Sequence, residues 1–361
     1  MTRQRLIVPA LANHVARTPT ERPIYGTIEL HHNRATDVYR NAAYDAGLNV
    51  YDAAYQNNQA LSPRFRAHLR QVVNLLNEHV RRNGKIVEVG CGKGAFLDLL
   101  AQETKFVIEG YDTAYEGLNR RIHKRYLTSA DKIEADAIVL RHVLEYMPNP
   151  HAFLSSLKDI FGHRTIYIEV VAFDSILRKQ SFLDINYERV TYFTQRALRR
   201  LFSGRAIAAD TCFDGQYQYI LANLGDLSDE FASAFADTRE WCPRTFDALF
   251  PDLDTKLGEI ESFLRACGRG YLWGASARAC MLLAFAQGSE VAERLVGAID
   301  INPQKVGGFL SGSGLPIYDT EYFFRHAVPR DGLIIVNAAY SSEIKATLEN
   351  TPLRDIAYMA L

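Results

Sequence analysis

Three glycines at alternate positions, in the run Glu88-Val89-Gly90-Cys91-Gly92-Lys93-Gly94-Ala95-Phe96-Leu97, constrain this chain more than any other feature. They follow an apolar stretch that reads as a buried strand and precede one that reads as a helix. At such a junction the backbone turns sharply, and a ligand approaches with no β-carbon in its way. The spacing is G-x-G-x-G, not the dinucleotide pattern G-x-G-x-x-G, which counts against a nicotinamide cofactor. Lys93 is followed by Gly94 instead of Ser or Thr, so a phosphate-binding P-loop fails as well. Asp112 closes the next strand twenty residues past Gly92, where a carboxylate can receive both hydroxyls of a ribose.

The surrounding pattern predicts an α/β protein. Ser62 and Pro63 start a helix, with a side-chain cap followed by a residue whose missing N–H costs nothing in the first turn. Phe65, Leu69, Val72, Val73, Leu76 and Val80 then recur at three- and four-residue steps up to Asn83-Gly84. Strands are expected at 85–89, 106–111, 136–140 and 165–171, alternating with helical segments as in a parallel sheet covered by helices. Segments 206–209 and 217–223 follow as an antiparallel pair. A chain of 361 residues accommodates about two domains. We divide it into a lead segment or lid (1–60), which reads as irregular, a first α/β domain (61–223) with an insertion at 172–193, a helical bridge (224–268) and a smaller α/β domain (269–361). In the last of these, strands are expected at 270–273, 296–300 and 332–336.

Lys plus Arg number 41 against 42 Asp plus Glu, so no summed field attracts nucleic acid or an anionic membrane. Five cysteines without a C-x-x-C pair suggest neither a disulfide framework nor a zinc quartet. No stretch reaches the roughly 18 apolar residues of a membrane span. A cytoplasmic location is expected, with no membrane or nucleic-acid partner.

The glycine run, Asp112 and the stretch Asp136-Ala-Ile-Val-Leu-Arg-His142-Val-Leu-Glu145-Tyr-Met-Pro148-Asn-Pro150 together resemble the class I S-adenosylmethionine-dependent methyltransferases. The resemblance implies a Rossmann-like domain with S-adenosylmethionine as cofactor. Gly90, Cys91, Gly92 and Gly94 would line that cofactor, Glu88 would act near its amino group, and Asp112 would hold its ribose. His142 would touch cofactor or acceptor. Tyr55 and Gln59 would close over the site.

A narrower resemblance lies in Leu272-Trp273-Gly274-Ala275-Ser276-Ala277-Arg278, Asp300-Ile-Asn302-Pro303-Gln-Lys305-Val-Gly307 and Asp331-Gly332-Leu-Ile-Ile-Val-Asn337. These are similar to the C-terminal domain of the sugar C-methyltransferases, and imply a small-molecule acceptor, a nucleotide-linked sugar. The Gly274-to-Ser276 turn opens a helix directly after a strand, a candidate anion-binding terminus for that acceptor. No cysteine precedes Cys91, so the family's zinc module is absent and no metal is expected. Where the family carries Glu then His in the insertion, this chain reads Tyr187-Glu188-Arg189-Val190-Thr191-Tyr192. An arginine cannot remove a proton, so Glu188 is the expected base with His142 as the other candidate, and Arg189 would bind an anionic group or polarise a carbonyl. Tyr187 and Tyr192 would contact the acceptor. The substituted histidine also leaves open a binding protein that keeps the fold without catalysis, and C- and O-methylation are not separated.

Overall fold

The computed structural model describes residues 3–52 and 54–361. Ser62 caps the helix Pro63–His79 as expected: its Oγ accepts from the Phe65 N–H at 3.2 Å, and the helix buries Phe65, His68, Leu69, Val72, Val73 and Leu76. Beneath that helix lies a seven-stranded sheet. Its order is Ala208–Cys212, Tyr217–Asn223, Thr165–Val171, Ala137–Arg141, Lys85–Val89, Val107–Tyr111, Ile122–His123. Tyr217–Asn223 runs antiparallel to both its neighbours, and the remaining pairs are parallel. The strand interiors are near-continuous apolar runs because helices cover both faces of a parallel sheet.

A second sheet, of five parallel strands, follows in the order Ile317–Tyr318, Leu295–Ile299, Gly270–Trp273, Gly332–Ile335, Ala357–Ala360. The molecule is therefore α/β, with a Rossmann-like domain followed by a smaller α/β unit.

Two segments differ from the sequence reading. The first sixty residues are not irregular: they contain the strands Leu6–Pro9, Val15–Ala16, Tyr25–Ile28, Leu30–Asn33 and Val38–Asn41. The bridge is not purely helical either, since Trp241–Pro243 is a strand between helices. Both differences have one cause. Leu30–Asn33, Val38–Asn41, Thr191–Phe193 from the insertion and Trp241–Pro243 form a single antiparallel sheet, in which each strand is too short to show an alternation of its own. The Arg40 guanidinium lies 3.8 Å from the centre of the Trp241 ring, a cation–π contact tying two of these pieces together.

Ser62 also reaches the second unit. Its Oγ donates to Glu343 Oε2 at 2.6 Å, and the same oxygen accepts the Arg64 N–H at 3.0 Å. Ser62→Ala removes the cap and this link together. It should lower stability by about 1–2 kcal/mol, read as a reduced midpoint in urea unfolding, while Ser62→Thr should stay close to the native midpoint.

Candidate active site

At the carboxyl ends of the parallel strands of the first sheet the loops enclose a cavity of about 370 Å³, within the range of small-molecule sites. The glycine loop forms its floor. Gly90 has φ +75°, and a β-carbon there would lie 2.3 Å from Val143 Cγ2. Gly92, at φ +56°, would meet nothing within 4 Å, so it presents bare backbone. Cys91 and Gly92 line the cavity, and Gly94 caps the helix Ala95–Glu103 in a left-handed conformation. Asp112 is half-buried on the wall. Its Oδ2 accepts the Gly92 N–H and its Oδ1 the Ala114 N–H, each at 2.7 Å. The carboxylate thus clips the loop to the end of the next strand and keeps lone pairs for a ligand.

Deeper in the wall is a run of buried charges. Glu88 is 2% exposed, and its Oε2 has no hydrogen-bond partner. Burial pushes its carboxyl pKa up to about 7; the Arg141 guanidinium opposes this, and the charges of Asp112 and Glu169 add to it. Arg141 stands 3.9 Å from Glu88 Oε1 and 3.5 Å from Glu169 Oε1, with its own Nε unpartnered. A carboxylate oxygen and a guanidinium N–H, both orphaned and both on one cavity wall, match the ammonium and carboxylate of an amino-acid moiety. With the open glycine backbone, these residues fit S-adenosylmethionine.

His142 also lines the cavity, held at φ +52°. Its Nε2 lies 3.0 Å from Glu169 Oε1 and its Nδ1 3.5 Å from Glu145 Oε1. Burial works to lower the imidazole pKa, but the two carboxylates outweigh it and leave it raised. Tyr55 and Gln59 come from the lead segment onto the same wall. Gln59 Oε1 accepts from Tyr217 Oη at 3.2 Å and from Tyr340 Oη at 2.8 Å.

The insertion residues are elsewhere. Glu188 is 1% exposed and accepts hydrogen bonds from the backbone and side-chain N–H groups of Asn13; it does not reach the cavity wall. Arg189 is half-buried, donating its Nη1 to the Asp184 carbonyl at 2.8 Å and its backbone N–H to Asn186 Oδ1 at 3.2 Å. Tyr187 and Tyr192 are fully buried; their hydroxyls bond the backbones of Asp45 and Asn186 respectively. Gly274 and Ser276 line neither this cavity nor the interdomain cavity described below. At that turn the Ala275 N–H is taken by Asp300 Oδ2 and the Ala275 carbonyl by Lys305 Nζ, so the polar groups of the D-x-N-P-x-K stretch fold back onto their own domain. These six residues pack the protein together and are not gathered at the site.

Arg141, Glu169, His68, Tyr146 and Tyr340 were absent from the sequence reading. Arg141 stands beside His142 at a strand end, and Glu169 is a lone carboxylate in the apolar run Ile166-Tyr167-Ile168-Glu169-Val170-Val171, a signal visible in the sequence.

Residues 62–205 match a family model described as a methyltransferase domain. Among solved structures, a SAM-dependent methyltransferase from Aquifex aeolicus is 14% identical; the match covers 45% of this chain and 94% of that one, at a TM-score of 0.35. Magnesium protoporphyrin IX methyltransferase from Synechocystis PCC 6803, with bound SAH, is 14% identical over 46% of this chain and 87% of that one, at 0.36. The plantazolicin methyltransferase BpumL is 17% identical over 50% and 78%, at 0.32. No curated protein matches the sequence. The matched segment holds the glycine loop, Asp112 and the buried charges. Residues 62–205 are therefore similar to a methyltransferase domain, and the groups on the cavity wall are of the kind that fits S-adenosylmethionine.

Burial pushes the Glu188 carboxyl up to about 7, with the Asn13 hydrogen bonds opposing. A raised acid favours folding while protonated, so its contribution is complete below its unfolded value and is lost as pH rises from about 4.3 to about 7. Glu188→Gln should flatten that part of the stability–pH curve, measured by thermal unfolding between pH 4.5 and 8, and should leave cofactor affinity unchanged.

Proposed function

We propose that this methyltransferase acts on a nucleotide-linked sugar or a related small polar metabolite that approaches from the second unit. The observation carrying this reading is a second cavity, of about 470 Å³, between the insertion, the Asp214 loop and the carboxyl edge of the second sheet. Lys179, Lys256 and Arg278 bring positive charge to it, Asp184, Asp214 and Glu259 bring as many carboxylates, and Phe182, Phe213 and Met359 give it apolar surface. Arg278 is paired with Asp184, but Lys256 Nζ donates only to the carbonyls of Lys179 and Gln180, leaving its charge without a carboxylate partner. Such a lining suits a ligand with an anionic group and a flat apolar part. A thin layer divides this space from the cofactor cavity: Phe213 stacks on Tyr217 at 5.3 Å and contacts Tyr340 at 5.6 Å, and both tyrosines bond Gln59. The likeness of the second unit to the sugar C-methyltransferases supports the same acceptor class.

S-adenosylmethionine, when bound, supplies an electrophilic methyl group on a sulfonium. The residues of this chain then hold and align. Glu88 takes the ammonium end, Asp112 the ribose, and Gly90 and Gly92 admit the ligand against backbone; Gly94 is off the cavity wall, where a β-carbon would meet Ile122, and turns the chain into the following helix. Tyr51, Tyr55 and Tyr146 keep water from the methyl carbon. Alignment of this kind is worth up to ~7–11 kcal/mol of barrier. His142 is the base, since its imidazole lines the wall whereas Glu188 does not, and the Lys93 ammonium on the same wall is engaged by the Ala114 carbonyl and Glu116. It accepts a proton only in its neutral form, and its neighbours favour the charged one, so kcat should rise with pH through a midpoint above the ordinary histidine value of about 6.5.

Two measurements test this. Calorimetry should show Asp112→Ala weakening S-adenosylmethionine binding by about 1.5–3 kcal/mol, the worth of charge-assisted bonds at a buried ligand; unchanged affinity would remove Asp112 from the site. Incubation with labelled S-adenosylmethionine and a panel of nucleotide sugars and keto-sugars should label one of them. His142→Gln should slow that transfer by about 10²–10⁴-fold. Solvent deuterium appearing beside a ketone marks C-methylation, and its absence with transfer marks O-methylation. Label passing only to acceptors without a sugar would overturn the acceptor class.

A further inference from the structure

Glu169 lies on the strand Thr165–Val171 and is fully buried, yet every side of its carboxylate is occupied. Oε2 accepts from Tyr167 Oη at 2.7 Å and lies 3.0 Å from His68 Nε2, with Cys212 Sγ at 3.8 Å. Oε1 faces His142 Nε2 at 3.0 Å and Arg141 Nη2 at 3.5 Å. Burial alone would drive this carboxyl towards its neutral form; Arg141 and the two histidines overcome that and hold its pKa well below the usual carboxylate range. Glu169 is thus a fixed negative charge two strands away from Glu88, with the Arg141 strand between them. Arg141 stands between the two carboxylates and is nearer Glu169, at 3.5 Å against 3.9 Å.

We propose that Glu169 is a positioning residue for the donor site: it holds the Arg141 guanidinium off Glu88, so that one Glu88 oxygen stays unpaired on the cavity wall for the ammonium group of S-adenosylmethionine. The orphaned Glu88 Oε2 and Arg141 Nε are the marks of this arrangement. Without the charge on Glu169, Arg141 has one strong acceptor left within reach. It closes on Glu88, and the ammonium of the cofactor then competes with a guanidinium already in place. The inference rests on Glu88 being the partner of that ammonium.

The groups facing Glu88 are Arg141 from one neighbouring strand, Asp112 from the end of the other, Glu169 one strand further on and Cys91 from the glycine loop. Of these, Arg141 is the one cation, and it lowers the Glu88 pKa against burial and the charges of Asp112 and Glu169, which raise it. Binding of an ammonium needs the ionised carboxylate, and affinity therefore rises with pH through the Glu88 midpoint. Any alkaline fall belongs to the ligand's own amino group, which has a free carboxylate beside it and so ionises above the range of a peptide α-amine, and is common to all variants.

The test is the acidic limb of S-adenosylhomocysteine affinity, measured by calorimetry on the full chain from pH 5.5 to 8.5. Glu169→Gln should weaken binding and move the acidic midpoint down by about one pH unit or more, since an arginine brought against a carboxylate lowers its pKa by about 1–3 units. Arg141→Met removes the one nearby cation and should move the midpoint up. Loss of folding cannot give opposite displacements in two variants. An unmoved midpoint in Glu169→Gln, displacement of both variants in one direction, or a further downward displacement when Glu169→Gln is added to Arg141→Met, which would show the Glu169 charge acting on Glu88 directly and not through Arg141, would overturn the proposal. Glu88→Gln separates the underlying reading: it should abolish the acidic limb, and a limb that persists would show that Glu88 does not hold the ammonium, whatever Glu169 does.

Discussion

Growth of the first sheet reverses at the strand Lys85–Val89. The chain adds Val107–Tyr111 and Ile122–His123 on one side, then returns to add Ala137–Arg141 and Thr165–Val171 on the other. Loops leaving neighbouring strands on either side of such a reversal diverge, and the gap between them cannot be filled by the chain itself. The glycine loop leaves one side of that gap and the Arg141–His142 turn the other. Glu88 and Arg141 face each other across it because they occupy adjacent parallel strands near their carboxyl ends, with Glu88 registered against Val139.

That placement has an energetic cost. Glu88, Arg141 and Glu169 are each nearly or wholly inaccessible to water, and the effective penalty for burying such ions is several kcal/mol apiece. Apolar residues of similar volume would make a more stable sheet. The charges are only partly satisfied among themselves, with an oxygen of Glu88 and a nitrogen of Arg141 left over. A fully satisfied cluster would be structural. One with a donor and an acceptor remaining on a cavity wall has the complement of a zwitterion, whose binding would, on the proposed reading, regain part of what folding lost.

How much of this the sequence reveals depends on how local the chemistry is. Gly90, Gly92, Gly94 and Asp112 are legible because a strand, a turn and the next strand end lie within one βαβ unit, and the spacing alone brings them together. Residues 85–89, 165–171 and 217–223 are likewise legible as strands, since burial on both faces leaves continuous apolar runs. Glu188 is misleading for the opposite reason: its partner Asn13 is 175 positions away, and no local pattern shows that the carboxylate is spoken for. The antiparallel sheet assembled from the lead segment, the insertion and the Trp241–Pro243 strand is hidden in the same way, because three- and four-residue strands carry too few positions to display a period.

The dispersed pieces nevertheless converge on the site. Tyr51, Tyr55 and the run Asn57 to Ala60 form one side of the first cavity, and this side is not anchored within the first domain alone. Gln59 is bonded to Tyr217 of the first sheet and Tyr340 of the second unit, Ser62 to Glu343, and upstream Val15–Ala16 pairs with Phe309–Leu310. The wall over the methyl donor is therefore held from the second unit, and the same Tyr340 borders the interdomain space through Phe213. Methyl transfer needs donor and acceptor brought into line with water excluded between them, a condition that two independently mobile halves would meet only part of the time. On the proposed reading, in which the second cavity takes the acceptor, a wall shared by the two cavities would make alignment a property of the folded chain instead of a chance encounter.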